Sequence, residues 1–151
     1  MKSLKNITRS ILTILFSVLA FIHFNWVFGG KWGFDKVIPS DIHGNKIFAP
    51  KTVESLAVGI VLLLMGVFYL TYSKKSTYKI LNKFNNIALW IIPIIFLLRA
   101  IGDFKYVGFF KQIKGTEFAN LDTMVFSPLC LFISVSGYLL IHIKFNVRLN
   151  D

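Results

Sequence analysis

Charge and sulfur are scarce in this 151-residue chain: one cysteine, seven acidic residues and only 16% charged residues in all. A lone cysteine excludes an intrachain disulfide and a dithiol redox pair, which leaves Cys130 as a small apolar packing residue. The low charge, beside 55% hydrophobic residues and a mean hydropathy of +0.65, excludes a disordered chain. It also excludes an ordinary soluble domain, which carries roughly 25% charge. Phosphate-binding glycine loops, dinucleotide fingerprints, serine-hydrolase elbows and helically spaced histidine pairs are missing as well. No cofactor is therefore expected. The excess of 17 Lys and Arg over seven acids comes with no zinc-finger, helix-turn-helix or RNA-binding signature, so nucleic acid is not an expected partner.

What is present is long apolar runs. A bilayer core of about 30 Å requires about 20 mostly apolar residues per helix, and four segments meet or approach this, at about 11–28, 53–72, 85–104 and 125–143. The third is the informative one, because its apolar run from Ile87 stops at Leu98. That stretch is too short to cross at 1.5 Å per residue, so the helix is expected to continue through Arg99, Ala100, Ile101, Gly102 and Asp103, with Pro93 bending it. The first run has a basic start and a tolerable cleavage site at Val18-Leu19-Ala20. Its length to Phe28 favours an uncleaved anchor over a signal peptide. The expectation is an all-α membrane protein: one domain, an antiparallel four-helix transmembrane bundle.

Four spans put both termini on one side. That side carries Lys2, Lys5, Arg9, Lys74, Lys75, Lys79, Lys83, Lys144 and Arg148 against only Asp151. The other side mixes its basic residues with Asp35, Asp41, Glu54, Asp103, Glu117 and Asp122. Dense basic residues in short segments next to span ends mark the cytoplasmic face, so both termini are expected inside. The positive charge then has a topological explanation and an affinity for membrane lipids.

Two outer loops remain. In 29–52, Trp32 and Phe34 among glycines suit the headgroup region, and Val37-Ile38-Pro39 and Ile47-Phe48 flank a Gly44-Asn45 turn, the pattern of a small hairpin or flap. In 104–124, Tyr106 to Phe110 are too few to cross and too apolar for a solvated loop. An interfacial segment is expected, with Lys105, Lys111 and Lys114 in the headgroups. Asp122 or Thr123 is the expected N-cap of the fourth span.

The run Arg99-Ala100-Ile101-Gly102-Asp103-Phe104-Lys105-Tyr106-Val107-Gly108-Phe109-Phe110-Lys111 continues in Phe118-Ala119-Asn120-Leu121-Asp122-Thr123 and Ser127-Pro128-Leu129-Cys130-Leu131. Together with His23-Phe24-Asn25-Trp26 ahead of Gly29-Gly30, it resembles a family of small four-helix bacterial membrane proteins of unknown function. The resemblance extends over nearly the whole chain. It implies a multi-pass protein of a bacterial cell membrane and brings no assigned reaction, cofactor or catalytic residue.

The candidate ligand-binding residues are His23, Trp26, Arg99, Asp103 and Asp122. Arg99 and Asp103 are four apart and share a helix face. They form either an interfacial ion pair or an anion receptor in which Asp103 orients the guanidinium. His23 either makes an interhelical hydrogen bond beside an aromatic-belt Trp26, or works as a proton carrier or clamp against Asp103 or Asp122. A cation site assembled from Asp35, Asp41, His43, Asp103 and Asp122 lacks any tight motif, and no metal is expected. His23, Arg99, Asp103, Asp122 and Ser127 fall at one depth near the outer surface, while the inner half of the spans carries almost nothing polar. This one-sidedness argues against a transport path through the midplane. It fits a pocket for an anionic lipid, a small anionic molecule or a membrane-protein partner. A small enzyme acting on a lipid or isoprenoid-like substrate and a purely structural subunit are the alternatives.

Overall fold

A computed structural model describes residues 2–72 and 79–149. Lys74, Lys75 and Asp151, which entered the orientation argument, lie outside them. Helix α1 (Lys2–Val27) leads through a 3-10 turn at Phe34–Val37 to α2 (Thr52–Thr71), and α3 (Lys79–Ile101) follows. The chain re-enters as α4 (Glu117–Leu121), continues as a π-helical turn (Asp122–Phe126) and ends in α5 (Ser127–Leu149). Four helical stretches, Ser3–Val27, Thr52–Thr71, Ile80–Ile101 and Glu117–Asn146, are long and apolar enough to cross a membrane.

The helices form two antiparallel pairs. Along α1 and α2, Gly59 lies against Phe24 and Gly66 against Phe16, while Arg9 reaches the backbone of Tyr69 and Leu70. One chain therefore descends as the other rises. Along α3 and α5, Gly137 lies against Pro93 and Lys144 bonds Asn86, in the same opposed sense. Gly59, Gly66 and Gly137 work by leaving out a side chain. A Cβ on Gly137 would stand 2.8 Å from Pro93 Cβ and one on Gly59 2.9 Å from the Phe24 ring. Lipid tails are as apolar as leucine, so spans associate through such close packing. The pairs meet at Phe16, which stacks on Tyr69 at 5.7 Å and takes Phe96 edge-on at 5.4 Å. Around it Leu12, Leu62, Leu89, Ile92, Ile133 and Leu140 form the core.

Three boundaries differ from the sequence expectation. Helix α3 begins earlier than 85 and stops at Ile101, short of 104. Gly102 takes φ +95° and the chain doubles back, so that the N–H groups of Phe109 and Phe110 donate to the carbonyls of Ala100 and Ile101 at 2.8 and 3.5 Å. The apolar run 104–110 is thus a reversal that caps α3. The fourth span is helical from Glu117, and its cap is Thr116, whose hydroxyl accepts from Ala119 N–H, not Asp122 or Thr123. The expected hairpin is reduced to a single antiparallel bridge, Ser40 to Lys46, around an Asp41 carboxylate that accepts the N–H groups of His43 and Asn45. Prolines at positions 39 and 50 bound this segment, and the residues ahead of it coil into the 3-10 turn instead of a strand.

The reversal after α3 predicts a graded glycine response. A Cβ on Gly102 would lie 1.7 Å from the Val107 carbonyl oxygen, whereas Gly29, also at positive φ, has nothing within 4 Å. Gly29→Ala carries only the left-handed backbone penalty of about 1–2 kcal/mol. Gly102→Ala adds a backbone clash and should lower stability by clearly more, measured as thermal unfolding of the purified protein in micelles.

Candidate functional site

The polar residues at the α3–α5 end are organised by one carboxylate. Asp122 is 0% exposed, and the chain places it in the π turn just ahead of Pro128. Proline offers no N–H to the preceding turn, and Ser127 N–H instead donates five residues back, to the Asp122 carbonyl. Such single widened turns aim a side chain that a regular helix would direct elsewhere.

Four donors converge on the Asp122 carboxylate. Arg99 Nη2 donates to Oδ1 at 2.8 Å. Gly108 N–H, Lys111 Nζ and Ser127 Oγ donate to Oδ2 at 2.7, 3.0 and 3.2 Å. The last turn of α3, the reversal and α5 are tied together at this point. Gly108 (φ +88°) is required there, since a Cβ would stand 2.3 Å from the Ile101 carbonyl oxygen.

Asp103 is not the partner of Arg99. The helical register that would align them is lost one residue after Ile101, and Asp103 turns outward. Its Oδ1 accepts the N–H groups of Lys105, Tyr106 and Val107 at 2.7–2.9 Å. Burial alone would raise this carboxyl, but the backbone donors together outweigh it and hold it below its ordinary value. Asp103 shapes the loop and lies outside the pocket described next.

Lys111 is the residue that the sequence reading misplaced. It is 4% exposed, not in the headgroups, and its ammonium donates to Gly108 O, Asp122 Oδ2 and Thr123 Oγ1 at 2.9, 3.0 and 2.7 Å. All three of its N–H groups are used. The available sign was slight: a lysine directly after the apolar stretch Val107 to Phe110.

Two cations on one carboxylate leave one positive charge over, and it lies on Arg99. Arg99 is partly exposed, and its Nη1 is buried without a hydrogen-bond partner. Arg99 also lines a cavity of about 400 Å³ whose other walls are Leu19, Ile22 and Val58 from α1 and α2, with Phe118 and Phe126 beside the π turn. The roof is the first outer loop, through Phe34, Val37, Ile38 and Phe48. Trp26 holds the roof: its Nε1 donates to Trp32 O at 2.8 Å and its ring meets Phe34 edge-on at 5.6 Å.

His23 lines the same cavity. It bonds neither Asp103 nor Asp122. Its ring packs edge-on against Trp26 at 4.7 Å, and Nδ1 is buried without a partner. Glu54 and Ser55, at the start of α2, complete the polar lining. The Glu54 carboxylate accepts Lys51 N–H at 3.0 Å in a capping box. The site therefore gathers His23, Trp26 and Arg99, with Asp122 behind Arg99. Among the described residues no three His, Cys, Asp or Glu side chains are grouped to hold a metal ion, and Asp35, Asp41 and His43 stay on the outer loop.

Four helices long and apolar enough to cross a membrane, with a mostly apolar cavity that carries Arg99 and His23, define the class: a small multi-pass membrane protein. The chain belongs to the family described as Protein of unknown function (DUF3995), which it matches over residues 16–136. That stretch contains every cavity residue named above. No curated protein and no solved structure matches the chain.

Asp122→Asn should strip both cations of their counter-charge and destabilise the protein by about 3–5 kcal/mol. Lys111→Met leaves Asp122 and Arg99 balanced and should be clearly milder in the same chemical-denaturation assay. For Asp103 the folded-state value lies below the ordinary 3.8, so its contribution is complete above that value and is lost as pH falls through the lower folded one. Asp103→Asn should flatten the acid limb of a plot of melting temperature against pH.

Proposed function

We propose that this protein binds an anionic amphiphile, a lipid or other small molecule with an acidic head, in the cavity between α1, α2 and the π turn. The observation that carries the reading is the unpartnered Arg99 Nη1 beside a carboxylate already shared with Lys111. A carboxylate or phosphate oxygen would satisfy that donor and neutralise the surplus charge, in a charge-assisted bond shielded from water. The aliphatic and aromatic walls suit a hydrocarbon body. At about 30 Å³ per water-sized group, the 400 Å³ cavity accepts on the order of a dozen non-hydrogen atoms, enough for a single chain and too few for a whole diacyl lipid.

A second reading rests on His23 Nδ1, also unpartnered and lining this cavity. An imidazole beside a held anion suits acid–base chemistry on the bound molecule, as in a small enzyme acting on a lipid or isoprenoid-like substrate. In that case His23→Phe abolishes turnover while binding persists.

The proposed setting is a bacterial cell membrane with both termini cytoplasmic. Supporting it, every described acid lies toward the roofed end, and Lys5, Arg9, Lys83 and Lys144 toward the other. With Cys130→Ala as background, Lys114→Cys should react with an impermeant maleimide in intact cells and Ser3→Cys only after lysis. The opposite pattern overturns the orientation.

For binding, the protein in phosphatidylcholine nanodiscs is titrated with laurate, dodecyl phosphate and dodecanol. A charge-assisted bond contributes about 1.5–3 kcal/mol, so Arg99→Gln should weaken the two anions roughly 10- to 100-fold and leave dodecanol unchanged. Equal affinity of all three ligands for the unaltered protein, or no loss in a folded Arg99→Gln variant, would sink the proposal in favour of a structural subunit.

A further inference from the structure

The end of the bundle away from Asp122 is not as featureless as its apolar sequence leads one to expect. Arg9, Ser10, Thr13 and Ile14 of α1, with Tyr69 and Leu70 of α2, line a second cavity of about 450 Å³. Thr13 Oγ1 and Tyr69 Oη are both buried without a hydrogen-bond partner, and Tyr69 is 0% exposed. In an apolar span such groups are costly unless an acceptor reaches them, and a molecule entering this cavity could supply one.

The cavity has a polar gradient along α1. Arg9 is anchored on the end of α2: Nε and Nη2 donate to the carbonyls of Tyr69 and Leu70 at 3.1 and 2.7 Å, and Nη1 to Asn6 Oδ1 at 3.4 Å. These carbonyls lie in the last turn of α2, where helical partners run out. Three of the five guanidinium N–H groups are used there, and two remain. Thr13 lies one turn from Arg9, about 5.4 Å further into the bilayer. Cationic and hydroxyl donors at the rim are thus followed, one turn deeper, by neutral hydroxyls. Beside them Ile14 and Leu70 are 63% and 60% exposed as an apolar wall. Lys5 adds positive charge by the Tyr72 ring at 5.4 Å, and the described acids are all at the other end.

We propose that this cavity receives the phosphate, glycerol and ester portion of an anionic glycerophospholipid from the leaflet at the basic end, with the acyl chains left in the surrounding bilayer. Its phosphodiester rests on Arg9 and Ser10, its ester carbonyls accept from Thr13 and Tyr69, and an acyl chain leaves along the exposed Ile14 and Leu70. A neutral donor pair one turn below a cation matches esters one glycerol below a phosphate. This site is separate from the Arg99 cavity and does not depend on the reading of that cavity.

The test uses the full chain, delipidated in micelles, with phosphatidylglycerol, phosphatidylcholine or inorganic phosphate added and the melting temperature followed against ligand concentration. Phosphatidylglycerol should stabilise the protein, the other two far less. Without lipid, Thr13→Val with Tyr69→Phe should leave the melting temperature equal or raised, because each change removes an unsatisfied buried hydroxyl. The same pair should weaken phosphatidylglycerol at least tenfold. Ser10→Ala, at an exposed position where folding is not at stake, should weaken it severalfold. Equal stabilisation by phosphatidylcholine, a full effect from inorganic phosphate alone, or undiminished lipid response in the hydroxyl variants would each overturn the proposal. A melting temperature lowered by the hydroxyl variants in the absence of lipid would overturn it too, since the hydroxyls would then have partners within the protein.

Discussion

Asp122 has no exposed surface and accepts hydrogen bonds from Arg99, Gly108, Lys111 and Ser127, groups that arrive along three separate stretches of chain. A buried carboxylate must be paired and fully bonded to be tolerated at all, and here that requirement fixes several other features. It needs the π turn, which rotates the side chain inward ahead of Pro128. It needs Gly102 and Gly108 at positive φ, so that the reversal can bring an N–H and an ammonium back to the end of α3. It also holds Arg99 against the cavity wall in one orientation, since one edge of the guanidinium is already engaged. What remains of Arg99 is thereby held in place, which would lower the ordering cost of the binding proposed for it.

The pattern of charge in this cluster differs from a simple surface ion pair. An exposed pair is worth about 0–1 kcal/mol because water screens it. Buried charges are screened far less, and an odd number of them leaves a net field inside the protein. With two cations to one anion, that field is positive and is directed to the one member with donors to spare. The walls of the cavity are hydrocarbon, so an anion there would feel the field at reduced dielectric. In the proposed binding, selectivity for charge and tolerance for apolar bulk would thus come from different parts of one pocket.

Much of this was legible in the sequence. Apolar runs of spanning length pointed to the four helices. Arg99, His23 and Trp26 stood out as polar or amphipathic residues near span ends, and all three line the cavity. The partnerships were not legible. Pairing Arg99 with Asp103 assumed an uninterrupted helix, and one left-handed glycine removes the register on which that pairing depends. Lys111 read as a headgroup residue because the reversal that buries it is a tertiary event, built on contacts between residues near 101 and 108. The roof was equally hidden, since Phe34, Ile38 and Phe48 carry no periodicity that points to the helices they cover. Hydroxyls such as Thr13 and Tyr69 also escaped notice, because neutral side chains in a span look the same whether they are satisfied or not.

The roof is joined to α4 by Lys36 and Glu117, 2.9 Å apart with both side chains more than half exposed. Among the described residues this is the only ion pair between the outer loop and the second helix pair, and at such exposure parting it costs little and less still in salt. The bundle beneath is locked by buried charge, and this clasp above it is not. For the binding proposed above, the two would act separately: the buried cluster on how tightly a ligand is held, the clasp on how quickly one is exchanged for another, a rate tuned by ionic strength with the fold left intact.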